Sequence, residues 1–195
     1  MRHALIIILL SIIGFSLLAQ SEEKGIPITL AIYAPYGIQF GGKVGTTINF
    51  KVWEAAKTNK KSCCPYARTF FVSPQIGFFV RPNNHNSLLL NSEAGFKNIK
   101  HKRRFYTAYT IGLGYLNTFQ ILSSTIDLST GEIVARKRER RAYFLPGINF
   151  ECGQDAKRNV AWYSKFSFGR KISNNIEDSS FFALELGLKV YFNKR

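Results

Sequence analysis

The chain predicts an all-β fold, a transmembrane antiparallel up-and-down β-barrel of about eight strands preceded by a cleaved signal peptide. Three observations carry this expectation. The first residues have the layout of an export signal, and apolar and polar residues alternate with a period of two over most of the remaining chain. Turn-forming residues cut that alternation into segments of about ten residues, the length a tilted strand needs to cross a bilayer. The clearest segment is the last, residues 181–192, Phe-Phe-Ala-Leu-Glu-Leu-Gly-Leu-Lys-Val-Tyr-Phe. Its even positions Phe182, Leu184, Leu186, Leu188, Val190 and Phe192 are apolar, while the odd face carries Glu185, Gly187 and Lys189. Such a strand has one greasy face and one polar face. In a membrane barrel the greasy face is the outer wall and the charged face the lumen; in a soluble barrel the two exchange places.

Met1-Arg2-His3 is positively charged, residues 4–18 form an almost unbroken apolar run, and Ala19 followed by Gln20 offers a cleavage point. Residues 1–19 are therefore expected to be a signal peptide and residues 20–195 the barrel domain. The apolar run is too short to span a bilayer comfortably. No Cys follows the cleavage point, so no lipid anchor is expected there. No later stretch approaches the length of a membrane helix, and residence in a membrane after export would require a closed barrel.

The segment after the signal, about 175 residues, has the length of one domain. With 17 Phe, 9 Tyr and a single Met, the initiator, the whole chain has a composition that favours strands. A formal net charge of +15 would suggest nucleic acid for a cytosolic chain, but export argues against a nucleic-acid partner. The cations gather in residues 57–61, 97–104 and 136–141, between strand-like runs. Arg136, Lys137, Arg138, Arg140 and Arg141 are thus expected in loops or at strand ends, solvated or, in the sharper reading, touching lipid headgroup and lipopolysaccharide phosphates. Cys63 and Cys64 are adjacent and Cys152 stands alone, an odd number that fits no disulfide framework. No His, Asp or Glu accompanies them at metal-ligand spacing, and no metal or cofactor is expected.

Taken in order, residues 26–52 keep their apolar residues on even positions, from Ile26 through Ile48 and Phe50 to Val52. That is too long for one strand, and Pro35-Tyr36-Gly37 or Gly41-Gly42 supplies the turn that divides it. Residues 69–81 alternate again, with Phe70, Val72, Ile76, Phe78 and Val80 against Ser73, Gln75, Gly77 and Arg81. After the turn Asn83-Asn84-His85-Asn86, residues 87–97 set Leu88, Leu90, Ala94 and Phe96 opposite Asn91, Glu93, Gly95 and Lys97. Residues 104–117 swap parity, with Phe105, Tyr109, Ile111, Leu113 and Tyr115 outward against Ala108, Thr110, Gly112 and Gly114. Residues 118–141 are expected to be a protruding hairpin turning at Ser129-Thr130-Gly131. Residues 143–153 resume with Phe144, Ile148 and Phe150 against Asn149 and Glu151, and after a tight link at 154–157 come Val160, Trp162, Phe166 and Phe168 against Tyr163, Lys165 and Ser167. A polar loop at 171–180 leads to the last strand. Pro74 and Pro146 fall inside strands, where each forfeits a ladder hydrogen bond and suggests a bulge. A periplasmic C-terminus would send the long connections 118–141 and 171–180 outside and leave 98–103 and 154–157 as periplasmic turns, the usual asymmetry of such barrels, with the link at 57–67 as the exception.

The closing Ala183-Leu184-Glu185-Leu186-Gly187-Leu188-Lys189-Val190-Tyr191-Phe192, together with Gly112-Leu113-Gly114-Tyr115-Leu116 and Tyr143-Phe144-Leu145-Pro146, resembles the small outer-membrane β-barrel proteins of Bacteroidetes-type Gram-negative bacteria. The resemblance spans nearly the whole segment after the signal and implies insertion by the barrel-assembly machinery, which reads an aromatic C-terminal strand. Here Asn193-Lys194-Arg195 follows Phe192. Members of that family mostly lack an assigned activity, so the likeness carries over no catalytic residues.

The inward set sums to Lys43, Lys51, Arg81, Lys97, Lys165 and Lys189 against Glu93, Glu151 and Glu185. A barrel of about eight strands is just wide enough to be filled by side chains, and charges enclosed there must pair. The expected protein therefore has a plugged, ion-paired lumen and a structural or interaction role, through external loops or as an accessory of a larger outer-membrane complex. A narrow conduit for small solutes, anion-leaning because cations are in excess, is the alternative, and a soluble periplasmic barrel is another. An enzyme is not expected: His85, Ser87 and Glu93 faintly resemble the His, Ser and acid set of lipid A deacylases, but they share the inward parity while acyl chains lie outside the wall.

Overall fold

The structure is a computed structural model that describes residues 26–55, 66–81, 85–100, 105–121, 138–154, 159–173 and 176–192. The expected signal peptide, Cys63, Cys64, Arg136 and Lys137 lie outside the described residues. The chain is all-β: β1 (Ile28–Pro35), β2 (Phe40–Thr46), β3 (Ile48–Ala55), β4 (Tyr66–Arg81), β5 (His85–Lys100), β6 (Phe105–Ile121), β7 (Arg138–Gln154), β8 (Val160–Ser173) and β9 (Ile176–Val190). They form one antiparallel sheet in the order β2-β1-β9-β8-β7-β6-β5-β4-β3, and β2 also pairs with β4. That last pairing closes the sheet on itself. Since β2 and β3 both run along β4 and are separated only by Thr47, they make a single stave, and the barrel has eight. Closure removes the free edges along the body of the barrel, and among the described residues β3, which pairs with β4 alone, runs on past the start of β1.

The turn after β1 is the first of the two expected. Residues 36–38 reverse the chain, with Tyr36 and Gly37 at φ of 54° and 70°. Gly37 takes that conformation freely, whereas Tyr36 must be held there. Its amide donates to the Phe182 carbonyl (2.9 Å), its hydroxyl to the Ser180 carbonyl (3.0 Å), and its ring packs edge-on against Phe181 and Phe182.

Three expectations are corrected. The even-outward parity of residues 26–52 ends at a bulge: the ladder lapses at Thr46 and Thr47 but keeps its register from Gly45↔Gln75 to Ile48↔Val72, and it slips by one residue between Asn49 and Lys51, which sets Val52 opposite inward Thr69. Neither strand proline makes a bulge. The β4–β5 register runs through Pro74 unshifted, and Pro74 sits across from the break in the neighbouring stave, where no ladder donor is missed; Ser73 Oγ donates to the Thr46 carbonyl (2.7 Å) beside it. At Pro146 the β7–β8 pairing lapses between Phe144↔Ile172 and Gly147↔Gly169, with the same register on both sides. The strands are also longer than the alternation suggested, 14 to 17 residues from β4 to β9. Residues expected in loops are paired: Thr118↔Arg141 and Ile121↔Arg138 extend the β6–β7 ladder, and Lys171↔Ser179 extends β8–β9. Backbone pairing satisfies N–H and C=O groups whatever the side chains are, so a ladder continues past the point where alternation fades.

Large apolar side chains stand exposed on the outside of every stave, among them Ile32, Val44, Ile76, Phe96, Ile111, Ile148, Phe168 and Leu186. Polar and charged residues border this band. On one side Arg68 Nε donates to Asn98 Oδ1 (2.9 Å) and Trp162 Nε1 to Gln154 Oε1 (3.1 Å); on the other Arg140 Nε donates to Asn117 Oδ1 (3.0 Å) and Arg170 pairs with Asp178 at 3.3 Å.

Candidate functional site

The lumen is filled in layers. Towards the end where the chain turns at 36–38, Tyr33, Phe79, Leu89, Leu116, Leu145, Phe181 and Ala183 form one buried cluster; towards the other end Phe71, Tyr106, Ala108 and Tyr163 form a second. Between them lies an ionic layer. Lys165, 2 % exposed at its side chain, reaches all three glutamates, at 3.0 Å to Glu93, 3.5 Å to Glu151 and 3.6 Å to Glu185. Lys43 donates to Glu185 (2.7 Å) and lies 4.0 Å from Glu93, while Lys189 donates to Glu151 (2.5 Å). Neutral donors complete the carboxylates. Tyr106 and Tyr163 each donate a hydroxyl, at 2.6 Å, to Glu151 and Glu185 respectively, and Asn91 and Thr110 turn to Glu93 at 2.9 and 3.4 Å.

Local sequence explains how these long side chains meet. Each ionic residue stands at an inward position of its strand, most of them between apolar outward neighbours, as Leu184 and Leu186 flank Glu185 and Leu188 and Val190 flank Lys189. The strand pairings Glu151↔Lys165 and Lys165↔Glu185 put a carboxylate directly on either side of the Lys165 ammonium. Glycine makes the space for the tyrosines: a Cβ at Gly187 would lie 2.6 Å from the Tyr163 ring, and one at Gly153 would lie 3.0 Å from that of Tyr106. In this way the period-two pattern becomes a cross-lumen tie among β2, β5, β6, β7, β8 and β9.

Of the residues expected inside, Lys43, Glu93, Glu151, Lys165, Glu185 and Lys189 all join the network. Lys97 is buried but stands at the second aromatic cluster, its Nζ 4.3 Å from the Tyr106 ring centroid. Arg81 is a correction: it lies at the end of β4, exposed at the mouth, because the strand has by then run past the filled lumen. The side chain of Lys51 lies outside the described residues, as does that of Arg138. Arg140 and Arg141 belong to the first turns of the β7 ladder, with Arg140 exposed and 5.5 Å from the Phe119 ring. The expected cation excess therefore shrinks in the middle layer, where three lysines face three glutamates. Tyr106 and Tyr33 were not singled out by sequence reasoning. Their inward parity was legible, Tyr33 between outward Ile32 and Ala34, but nothing local says which carboxylate a phenol will reach.

The deacylase-like set does not assemble. Ser87 Oγ lies 3.2 Å from Thr118 Oγ1, fully buried, and the Glu93 carboxylate is taken up by Lys165, Asn91 and Thr110. Among the described residues a cavity of about 30 Å³ lies inside the lumen beside Lys43, Asn91 and Asn149, with room for little more than a water molecule. A larger concavity, about 820 Å³, lies against the wall where Leu30, Val44, Phe78, Trp162 and Leu186 surround Gly42.

No protein-family model matches the chain, and a search of curated proteins finds no significant relative. What the fold and its interior define is a class: a closed, eight-stranded antiparallel barrel with an occluded, ion-paired lumen and an apolar outer wall.

Proposed function

We propose that this chain is an exported outer-membrane β-barrel protein whose plugged lumen is a scaffold, with its work done at the outer ends of the strands or as an accessory of an outer-membrane complex. The observation that carries this reading is the inversion of the barrel: a continuous apolar band faces outward while the carboxylates and ammonium groups lie inside. In water the reverse arrangement is the stable one. The apolar part of β8, Val160 to Phe168, is about nine residues, which crosses a hydrocarbon layer at a tilt of about 45°. Beyond it the outer face carries the Arg170–Asp178 pair, followed on β8 by Ile172. Residues 1–19 are the export signal in this reading, and the motifs resembling the small barrels of Bacteroidetes-type bacteria fit the same class. Lipid and lipopolysaccharide, the barrel-assembly machinery and an outer-membrane protein are the partners it implies.

The test is recovery of the native mature protein. It should sediment with outer membrane, resist an alkaline wash and need detergent for extraction, and it should migrate faster on an unheated gel than after boiling. Native, monodisperse protein in an aqueous extract without surfactant would overturn the proposal.

A further inference from the structure

At the end of the barrel beyond the first aromatic cluster, the charges are arranged differently from those in the middle. Lys171, on the last residues of β8, points inward, and its ammonium stands 4.7, 5.5 and 5.7 Å from the ring centroids of Tyr36, Phe181 and Tyr143. These rings come from the β1 turn, β9 and β7. They hold the ammonium by cation–π attraction and strip part of its water, but a ring face accepts no strong hydrogen bond. Arg81 approaches from β4, four staves away and so on the opposite wall. His85, its cross-strand partner, stands beside it on β5, and Arg141 takes the inward parity of β7.

No carboxylate among the described residues lies within ion-pair reach of Lys171 or Arg81. The convergence of positive charge acts on two of these groups. Burial and the Arg81 guanidinium bring Lys171 down to about 8, and burial followed by Lys171 and Arg81 pushes His85 below its usual value. These groups stand at strand ends: Arg81 is the last residue of β4, His85 the first of β5, and Lys171 lies two residues from the end of β8. The nearest anions, Glu93, Glu151 and Glu185, are separated from them by the aromatic layer and are committed to their own lysines.

We infer that this mouth is an oxyanion-binding site that takes a phosphate or carboxylate group between Lys171 and Arg81. The aromatic cluster under it closes the floor, so the site is a dish filled from one end of the barrel and not a stage on a path through it. The flanking faces of Tyr36 and Tyr143 suit a ligand that carries an apolar or sugar face next to the anion. The anion can come from a free solute or from a phosphorylated lipid headgroup, and the chemistry of capture is the same. The inference stands on the barrel mouth and does not depend on membrane residence.

The test uses the folded full-length protein in detergent, titrated with inorganic phosphate and with glucose 1-phosphate and followed by phosphorus NMR, with a parallel arm using dispersed lipopolysaccharide before and after dephosphorylation. Saturable phosphate binding is expected near neutral pH, about tenfold weaker in Lys171→Met and in Arg81→Gln and unchanged in Arg170→Gln on the outer wall. Wild-type affinity should fall as pH rises through about 8 and Lys171 loses its proton, and Lys171→Met should lack that step. Tyr36, Tyr143, His85, Arg81 and Arg141 are the other titratable or charged groups at this mouth; burial raises Tyr36, and burial with the two cations lowers His85, which moves both away from that step. Binding of phosphorylated lipopolysaccharide alone, lost in both variants, assigns the same site a lipid source. Three results would overturn the inference: no saturable binding of any phosphate probe, equal affinity in Lys171→Met, or lipopolysaccharide binding that survives both substitutions. Heat-modified gel mobility of each variant separates loss of the site from loss of the fold.

Discussion

The middle of the lumen and its mouth hold the same kinds of side chain in opposite states. Lys165 is enclosed by three carboxylates and two of those are further bonded by phenols, whereas Lys171, six residues further along the same strand, has aromatic faces around it and no described carboxylate. Burial explains the first. An ammonium two per cent exposed must be compensated by the protein itself, since desolvation costs several kcal/mol per ion. At the mouth water still compensates part of the charge, so the fold tolerates a cation that no described carboxylate pairs. The difference teaches that paired charge here belongs to the scaffold and unmatched charge marks the surface that meets something else.

The sharpest way to break the contrast is Lys165→Met, which leaves Glu93, Glu151 and Glu185 short of a shared partner. A loss of about 3–5 kcal/mol is expected, seen as failure to refold or a large drop in the urea midpoint of the heat-modifiable band. Gly187→Leu attacks the same layer by sterics, because its Cβ would lie 2.6 Å from the Tyr163 ring. Overpacking of about 1–3 kcal/mol should appear in the same unfolding curve. Tyr163→Phe removes one hydroxyl from Glu185 and should cost about 1.5–3 kcal/mol, with Lys43 still in place to hold the carboxylate. At the other extreme, Lys171→Met should move the unfolding midpoint by no more than about 0.5 kcal/mol, since it breaks no described ion pair. A large destabilisation there would show that the mouth is as structural as the middle layer.

Much of this was legible in the chain. Alternation from Thr69 onward gave the staves and their facing, and the same alternation named six of the ionic residues that meet in the lumen. Alternation reports only which face a residue takes, however. It could not say that the register slips by one residue between Asn49 and Lys51, because a bulge preserves the composition around it. Nor could it show that Arg81 lies past the filled lumen, since that depends on how far the ladder outruns the apolar band. Lys171 reads as part of a polar loop for the same reason: polar side chains weaken the pattern but not the backbone pairing that carries β8 and β9 onward.

By itself the sequence determined the class of the fold, because period-two patterning with turn punctuation admits strands and little else, and it determined that charged and apolar residues would lie on opposite faces of the wall. Only the tertiary structure decided who pairs with whom. Closure of β2 onto β4 brings β2, β5, β7, β8 and β9 within reach of one ammonium layer, and a contact across a lumen depends on the curvature and shear of the whole sheet, which no single strand encodes.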